Sequence, residues 1–147
     1  MMVSIDVPQA RADVYDFLDV MANHEPFTNH MMRDWKFDGP PSGVGSKARV
    51  TAFAAGRSFP VDVEVIEAER PVRTVERSIS ANGKRVATGT YTLAELPDGG
   101  TRVTFTYSWE RAPLGDRLIP PLTRAVARRG NERSLQRLAE VLRAQAL

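Results

Sequence analysis

Between Met31 and Arg111 the chain reads almost without a break as β-strand, and that run decides most of what the rest can be. Apolar residues recur at every second position, the period at which a strand turns one face to a core. Met31 to Asp38 sets Arg33, Trp35 and Phe37 on one face, and Lys47 to Ala54 does the same with Ala48, Val50 and Ala52. Ser58 to Glu67 alternates Phe59, Val61, Val63 and Val65 with polar and charged neighbours. Arg73 to Ser80, Lys84 to Leu96 and Thr101 to Arg111 complete the run, the last with Val103, Phe105, Tyr107 and Trp109 together. Asn82-Gly83 and Pro97-Asp98-Gly99-Gly100 are tight-turn material, and Gly39 to Gly45 makes a longer turn. Six strands with hairpin-length connections form an antiparallel meander. One apolar face per strand makes it a sheet covered on one side only.

The only segment long enough to cover that face is Pro113 to Leu147. Every fourth residue gives Leu114, Leu118, Leu122, Val126, Gly130, Ser134, Leu138 and Leu142, a single ridge on an α-helix, flanked by Ile119, Leu135 and Val141. Such a ridge drifts around the cylinder by ~40° per step, so it stays buried only if the helix bends across a curved sheet. Pro120, Pro121 and Gly130 supply the bends; two shorter helices split at Gly130 are the alternative. Gly130 and Ser134 are small where bulk would otherwise fill the space beneath.

Ahead of the meander, Val3, Ile5 and Val7 mark a short strand, and Val14, Phe17, Leu18 and Met21 mark a helix from Ala10 to about Val20. A second short helix opens near Asn23 with Pro26 in its first turn and carries His24, Phe27 and His30. The result is an α+β chain with a curved antiparallel sheet of about seven strands. It has two short helices and a long C-terminal helix over its concave face. With 147 residues and no linker, repeat or low-complexity tract, residues 1–147 are expected to form one domain.

Composition narrows the function classes. At 42% hydrophobic and 26% charged residues the chain can bury a core, which argues against disorder. No run approaches the roughly 20 apolar residues of a membrane span, and the first residues lack a secretory pattern. Cysteine is absent, which removes disulfides and thiol chemistry and suits a cytoplasmic address. Two histidines leave little for a metal site, and neither a metal nor a cofactor is expected. Arg124, Arg128, Arg129, Arg133 and Arg137 crowd the last helix and lift the pI to about 9.3. Acidic residues are interspersed and no aromatics are present to stack bases, so nucleic acid is not the expected partner. A homodimer stays open.

The order strand, two short helices, six-strand meander and long helix resembles the START-like superfamily, also called the SRPBCC or Bet v 1-like helix-grip fold. Gly43-Val44-Gly45-Ser46-Lys47-Ala48-Arg49-Val50 is similar to the family's Gly-x-Gly approach to the third strand. Gly89-Thr90-Tyr91-Thr92-Leu93 and Gly99-Gly100-Thr101-Arg102-Val103-Thr104 resemble its penultimate hairpin, and the terminal Pro-Leu and Leu-x-x-Leu pattern also fits. The likeness covers the whole chain and is strongest to the polyketide cyclase/dehydrase-like branch. It implies a cavity between concave sheet and long helix that takes an apolar, aromatic or lipid-type ligand.

The inward faces then assign a lining: Phe27, Trp35, Phe37, Val50, Arg77, Tyr91, Tyr107 and Trp109 from the front of the chain, with Leu118, Leu122, Val126, Gly130 and Ser134 from the helix. The alternative for any of these is close-packed core. Candidates for chemistry are His24, which titrates near neutrality, Arg33, which shares parity with Trp35, and Tyr107. Of the adjacent pair Glu76 and Arg77 only one can face inward, and parity with Val75 and Ile79 selects Arg77. No nucleophile elbow, phosphate loop or paired-carboxylate signature is present. The first expectation is a carrier or sensor of a hydrophobic or aromatic metabolite. The alternatives are a polyketide cyclase, aromatase or dehydratase, and an interaction protein using the arginine-rich helix.

Overall fold

The alternation written into residues 31–111 is realised as one seven-stranded antiparallel sheet in the computed structural model, which describes residues 1–54, 56–115 and 121–145, the last from the backbone alone at 121–123. The strands are β1 (Met2–Val7), β2 (Met32–Asp38), β3 (Lys47–Ala54), β4 (Arg57–Glu69), β5 (Arg73–Ser80), β6 (Arg85–Glu95) and β7 (Thr101–Arg111). Their order across the sheet is β1-β7-β6-β5-β4-β3-β2, so only β1 pairs out of sequence. Helix α1 (Arg11–Asp19) and α2 (Glu25–Thr28), joined by a 3-10 turn at Met21–His24, lie between β1 and β2. The long helix α3 spans Pro121–Gln145. No helix among the described residues is long and apolar enough to cross a membrane.

Two clusters make the core. The larger joins Val3 and Val7 of β1, Val14, Phe17 and Leu18 of α1, Phe27 of α2, Leu93, Val103 and Phe105 of β6 and β7, and Leu135, Leu138 and Leu142 of α3. The smaller joins Met21 with Ala48, Val50, Val61, Val63 and Val65, and Met32, Trp35 and Phe59 pack against it. Each fully buried aliphatic side chain contributes about 1.5–3 kcal/mol, so Leu138, with no exposed surface, anchors the second half of α3.

Three expectations are corrected here. The helix is continuous through Gly130, so the alternative of two helices split there falls; a Cβ at this glycine would come 2.7 Å from the Met31 sulfur, and the residue serves a close approach. Pro113 does not begin it; the helix starts at Pro121, and the ridge residues Leu118 and Leu122 fall outside the side chains described. Nor does the ridge stay buried along its length. Residues 124–129 are exposed, Val126 at 58%, whereas Ser134, Leu135, Leu138 and Leu142 are buried.

Candidate functional site

The two core clusters do not quite meet. In the seam lies a hollow of about 30 Å³, lined by His24, Thr28, Met31, Met32, Trp35, Val63, Glu76, Tyr91, Phe105, Asn131, Ser134 and Leu135. That volume is about one water molecule's share of liquid, so in this form the hollow admits solvent rather than a metabolite.

Strand β5 crosses the seam, and its two faces defy the alternation rule. Thr74, Glu76 and Ser78 pair with Tyr91, Gly89 and Ala87 of β6, which point to the concave side, so the polar residues of β5 face inward. Arg77 lies on the convex face, where its guanidinium meets Glu110 at 3.6 Å. Parity with Val75 and Ile79 therefore misassigned it: in this strand the apolar residues are the outer ones, and Glu76 is the charge turned inward. Gly89 makes the space, since a Cβ there would stand 3.0 Å from the Phe105 ring and 3.4 Å from Glu76 Cγ.

Among the described residues Glu76 has no hydrogen-bond or ion-pair partner, and its remaining accessible surface belongs to the hollow. Burial raises its carboxyl above the ordinary range, with the nearby His24 ring opposing. The same burial lifts the Tyr107 phenol to about 12, and the Glu76 charge adds to the rise. Tyr91 moves in the same direction for the same two reasons. Trp35 adds a second orphan, because its indole Nε1 is buried without a partner. Leaving such a donor unsatisfied costs about 1–3 kcal/mol. Both Glu76 and Trp35 line the hollow.

His24 is 5% exposed and rests on Phe27, Trp35 and Tyr91 through ring contacts of 5.3–6.4 Å. Its Nε2–H donates to the Leu18 carbonyl at 2.7 Å.

Other members of the proposed lining stand elsewhere. Arg33 does not share a face with Trp35, because β2 carries an irregularity between Arg33 and Lys36 with Asp34 at φ +59°. A bulge of this kind shifts the parity of everything before it. Arg33 instead donates through Nε to the Asn29 carbonyl at 2.9 Å and lies over the Phe53 ring. Phe37, on the edge strand, is half exposed and stacks on Trp35 at 5.9 Å. Trp109, near the end of β7, is 50% exposed, set edge-on to Tyr107 and beneath Arg85. Phe27 and Val50 are core, at 0% and 1% exposure. Tyr107 is half-buried against the larger cluster. Val126 faces solvent, as do its neighbours over residues 124–129. Ser134 lines the hollow, whereas Gly130 does not: the room at Gly130 is taken by Met31.

The sequence did hold a signal for Glu76. Thr74, Glu76, Ser78 and Ser80 form an unbroken polar row facing a glycine on the next strand, a poor pattern for a packed core and a good one for a hollow.

With the geometry in place, the family follows. The profile described as polyketide cyclase / dehydrase and lipid transport matches residues 2–143. The chain belongs to this family. No curated protein sequence matches it. Among solved structures, TTHA0849 from Thermus thermophilus superposes with a TM-score of 0.80 at 20% identity, covering 100% of this chain and 99% of its own. The Streptomyces ZhuI aromatase/cyclase gives 0.79 at 12%, with 100% and 94% covered. Ara h 8.0201 gives 0.71 at 13%, with 98% and 97% covered. At these identities the likeness is one of fold.

Proposed function

We propose that this family member binds a small, mainly apolar molecule bearing a carbonyl or hydroxyl, seated in the seam with Glu76 as its polar anchor. The observation that carries the reading is the lone Glu76 carboxyl in an apolar hollow. Burial favours its protonated form, which can donate to a carbonyl or accept from a hydroxyl, and Trp35 Nε1–H supplies a second donor. A ligand of metabolite size needs more room than 30 Å³. The room comes from Met31, a flexible thioether, and from the first half of α3, whose residues 124–129 are exposed and so lose no buried apolar area when they move.

The test is to extract the purified protein with organic solvent and identify the released molecules by mass spectrometry, then titrate the recovered compound against tryptophan fluorescence. Saturable quenching, weakened about tenfold or more in Glu76→Gln, is the expected outcome. An empty extract, together with no saturable response to any of a panel of aromatic ketones and phenols, sinks the reading.

One observation favours a second reading, that of a cyclase or dehydratase. A carboxyl raised by burial can pass a proton to a carbonyl oxygen as a new carbon–carbon bond forms, and take one back from the adjacent carbon. Glu76→Gln separates the two readings. Conversion of a polyketide-like substrate that disappears while binding persists favours the enzyme.

A further inference from the structure

Six arginines described on this chain hold a carboxylate. Arg49 holds Asp62, Arg70 holds Asp16 and Arg102 holds Asp6 through paired contacts of 2.8–3.1 Å, and Arg73 and Arg128 each hold a glutamate. Three of those that form no ion pair among the described residues meet in one place. Arg33 of β2 and Arg133 and Arg137 of α3 line a groove of about 590 Å³ outside the hollow, together with His30, Asn29, Glu25 and Asp34. Glu25 and Asp34 form no ion pair with any of the three.

What Arg33 and Arg137 touch keeps them in position without neutralising them. Arg33 is fixed by the Asn29 carbonyl and the Phe53 ring. Arg137 Nη1 donates to His30 Nδ1 at 3.1 Å, which requires the ring to carry its proton on Nε2, and that proton goes to the Gly130 carbonyl at 2.9 Å. Ser134 Oγ stands 3.3 Å from the same Nε2 and donates to the same carbonyl. The imidazole is therefore an uncharged prop for Arg137, and burial together with Arg137 and Arg133 lowers its pKa accordingly.

From this geometry we infer that the groove is a binding site for a phosphate-bearing or carboxylate-bearing group. Two guanidiniums one helical turn apart and a third from the facing strand can each present forked N–H donors to a tetrahedral or planar anion. Glu25 and Asp34 oppose a large anionic surface and so favour a compact group over an extended polyanion. The site is independent of what fills the hollow, though Ser134, which lines the hollow, also stands 3.3 Å from His30 of the groove.

The test uses the intact protein, with inorganic phosphate as the probe and the ¹⁵N-labelled imidazole resonances as the readout. Phosphate is expected to shift the His30 signals saturably and to raise the pH at which that ring protonates, because a bound anion favours the imidazolium. Arg133→Gln combined with Arg137→Gln should weaken this by about tenfold or more, while Arg128→Gln, remote from the groove, should leave it unchanged. Vesicles containing phosphatidic acid form a parallel arm. Binding to vesicles alone, lost in the same double variant, assigns the anion to a lipid headgroup; a response to free phosphate assigns it to a soluble ligand. No saturable effect in either arm, or an effect unaltered in a folded double variant, overturns the inference.

Discussion

Asp62 and Glu76 sit on neighbouring strands and could hardly be treated more differently. Asp62, on the convex face, lies opposite Arg49 and is gripped through two contacts of 2.9 and 3.1 Å, which hold its carboxyl below the ordinary range. Glu76, on the concave face, has no such partner, and burial pushes it the other way. The convex face settles its charges locally: Lys47 with Glu64, Arg73 with Glu67, and Arg102 with Asp6. The concave face retains, in Glu76, a carboxyl with no ion-pair partner among the described residues. A group held in that condition is a reservoir of interaction energy for something else to use.

The contrast can be broken most severely by placing a second acid inside. Val63 lines the hollow and is 4% exposed, so Val63→Asp should cost about 3 kcal/mol or more in chemical denaturation. Tolerance within about 1 kcal/mol, the scale of an exposed charge, would mean that the seam is wet and the contrast illusory.

Glu76→Gln should move stability the opposite way, raising it by about 1 kcal/mol at neutral pH. The sign follows from linkage. A carboxyl raised in the folded state stabilises fully below its unfolded pKa and loses that contribution as pH rises through its folded value, so the wild type should weaken toward neutrality while the variant stays flat. Thermal melts of both proteins from pH 4 upward check it; parallel curves would remove Glu76 from the explanation.

The smallest effect belongs to Asp62→Asn. An exposed pair contributes within about 1 kcal/mol, and salt screens it. Its contribution is present above the ordinary aspartate range and is lost as acid protonates the group, the reverse of Glu76. A loss that persists undiminished in high salt would show that the pair does more than balance charge.

These differences explain what could be read from the chain beforehand. The strands were legible because each strip of alternating residues has one side that must be dry, and Val61, Val63 and Val65 obey that rule without exception. The second half of α3 was legible for the same reason, through Leu135, Leu138 and Leu142. The rule failed where the inside is not uniformly dry. On β5 it preferred Arg77 over Glu76, because a hollow tolerates the polar row that a packed core would reject. On β2 a bulge at Asp34 moved Arg33 off the face of Trp35, and nothing in a count of every second residue announces an extra one. Val126 belongs to the apolar ridge of α3 yet stands exposed. Periodicity reports what a residue is suited to meet, and it cannot report an encounter postponed.

The close approach of Gly130 to the Met31 sulfur places a dial on the back of the chamber. Any side chain added at 130 would drive that sulfur toward the interior and shrink its capacity, and shortening residue 31 would enlarge it. On the proposed binding function, guest size is then set through one position on the helix and one on the loop beneath it, leaving the acid on β5 untouched.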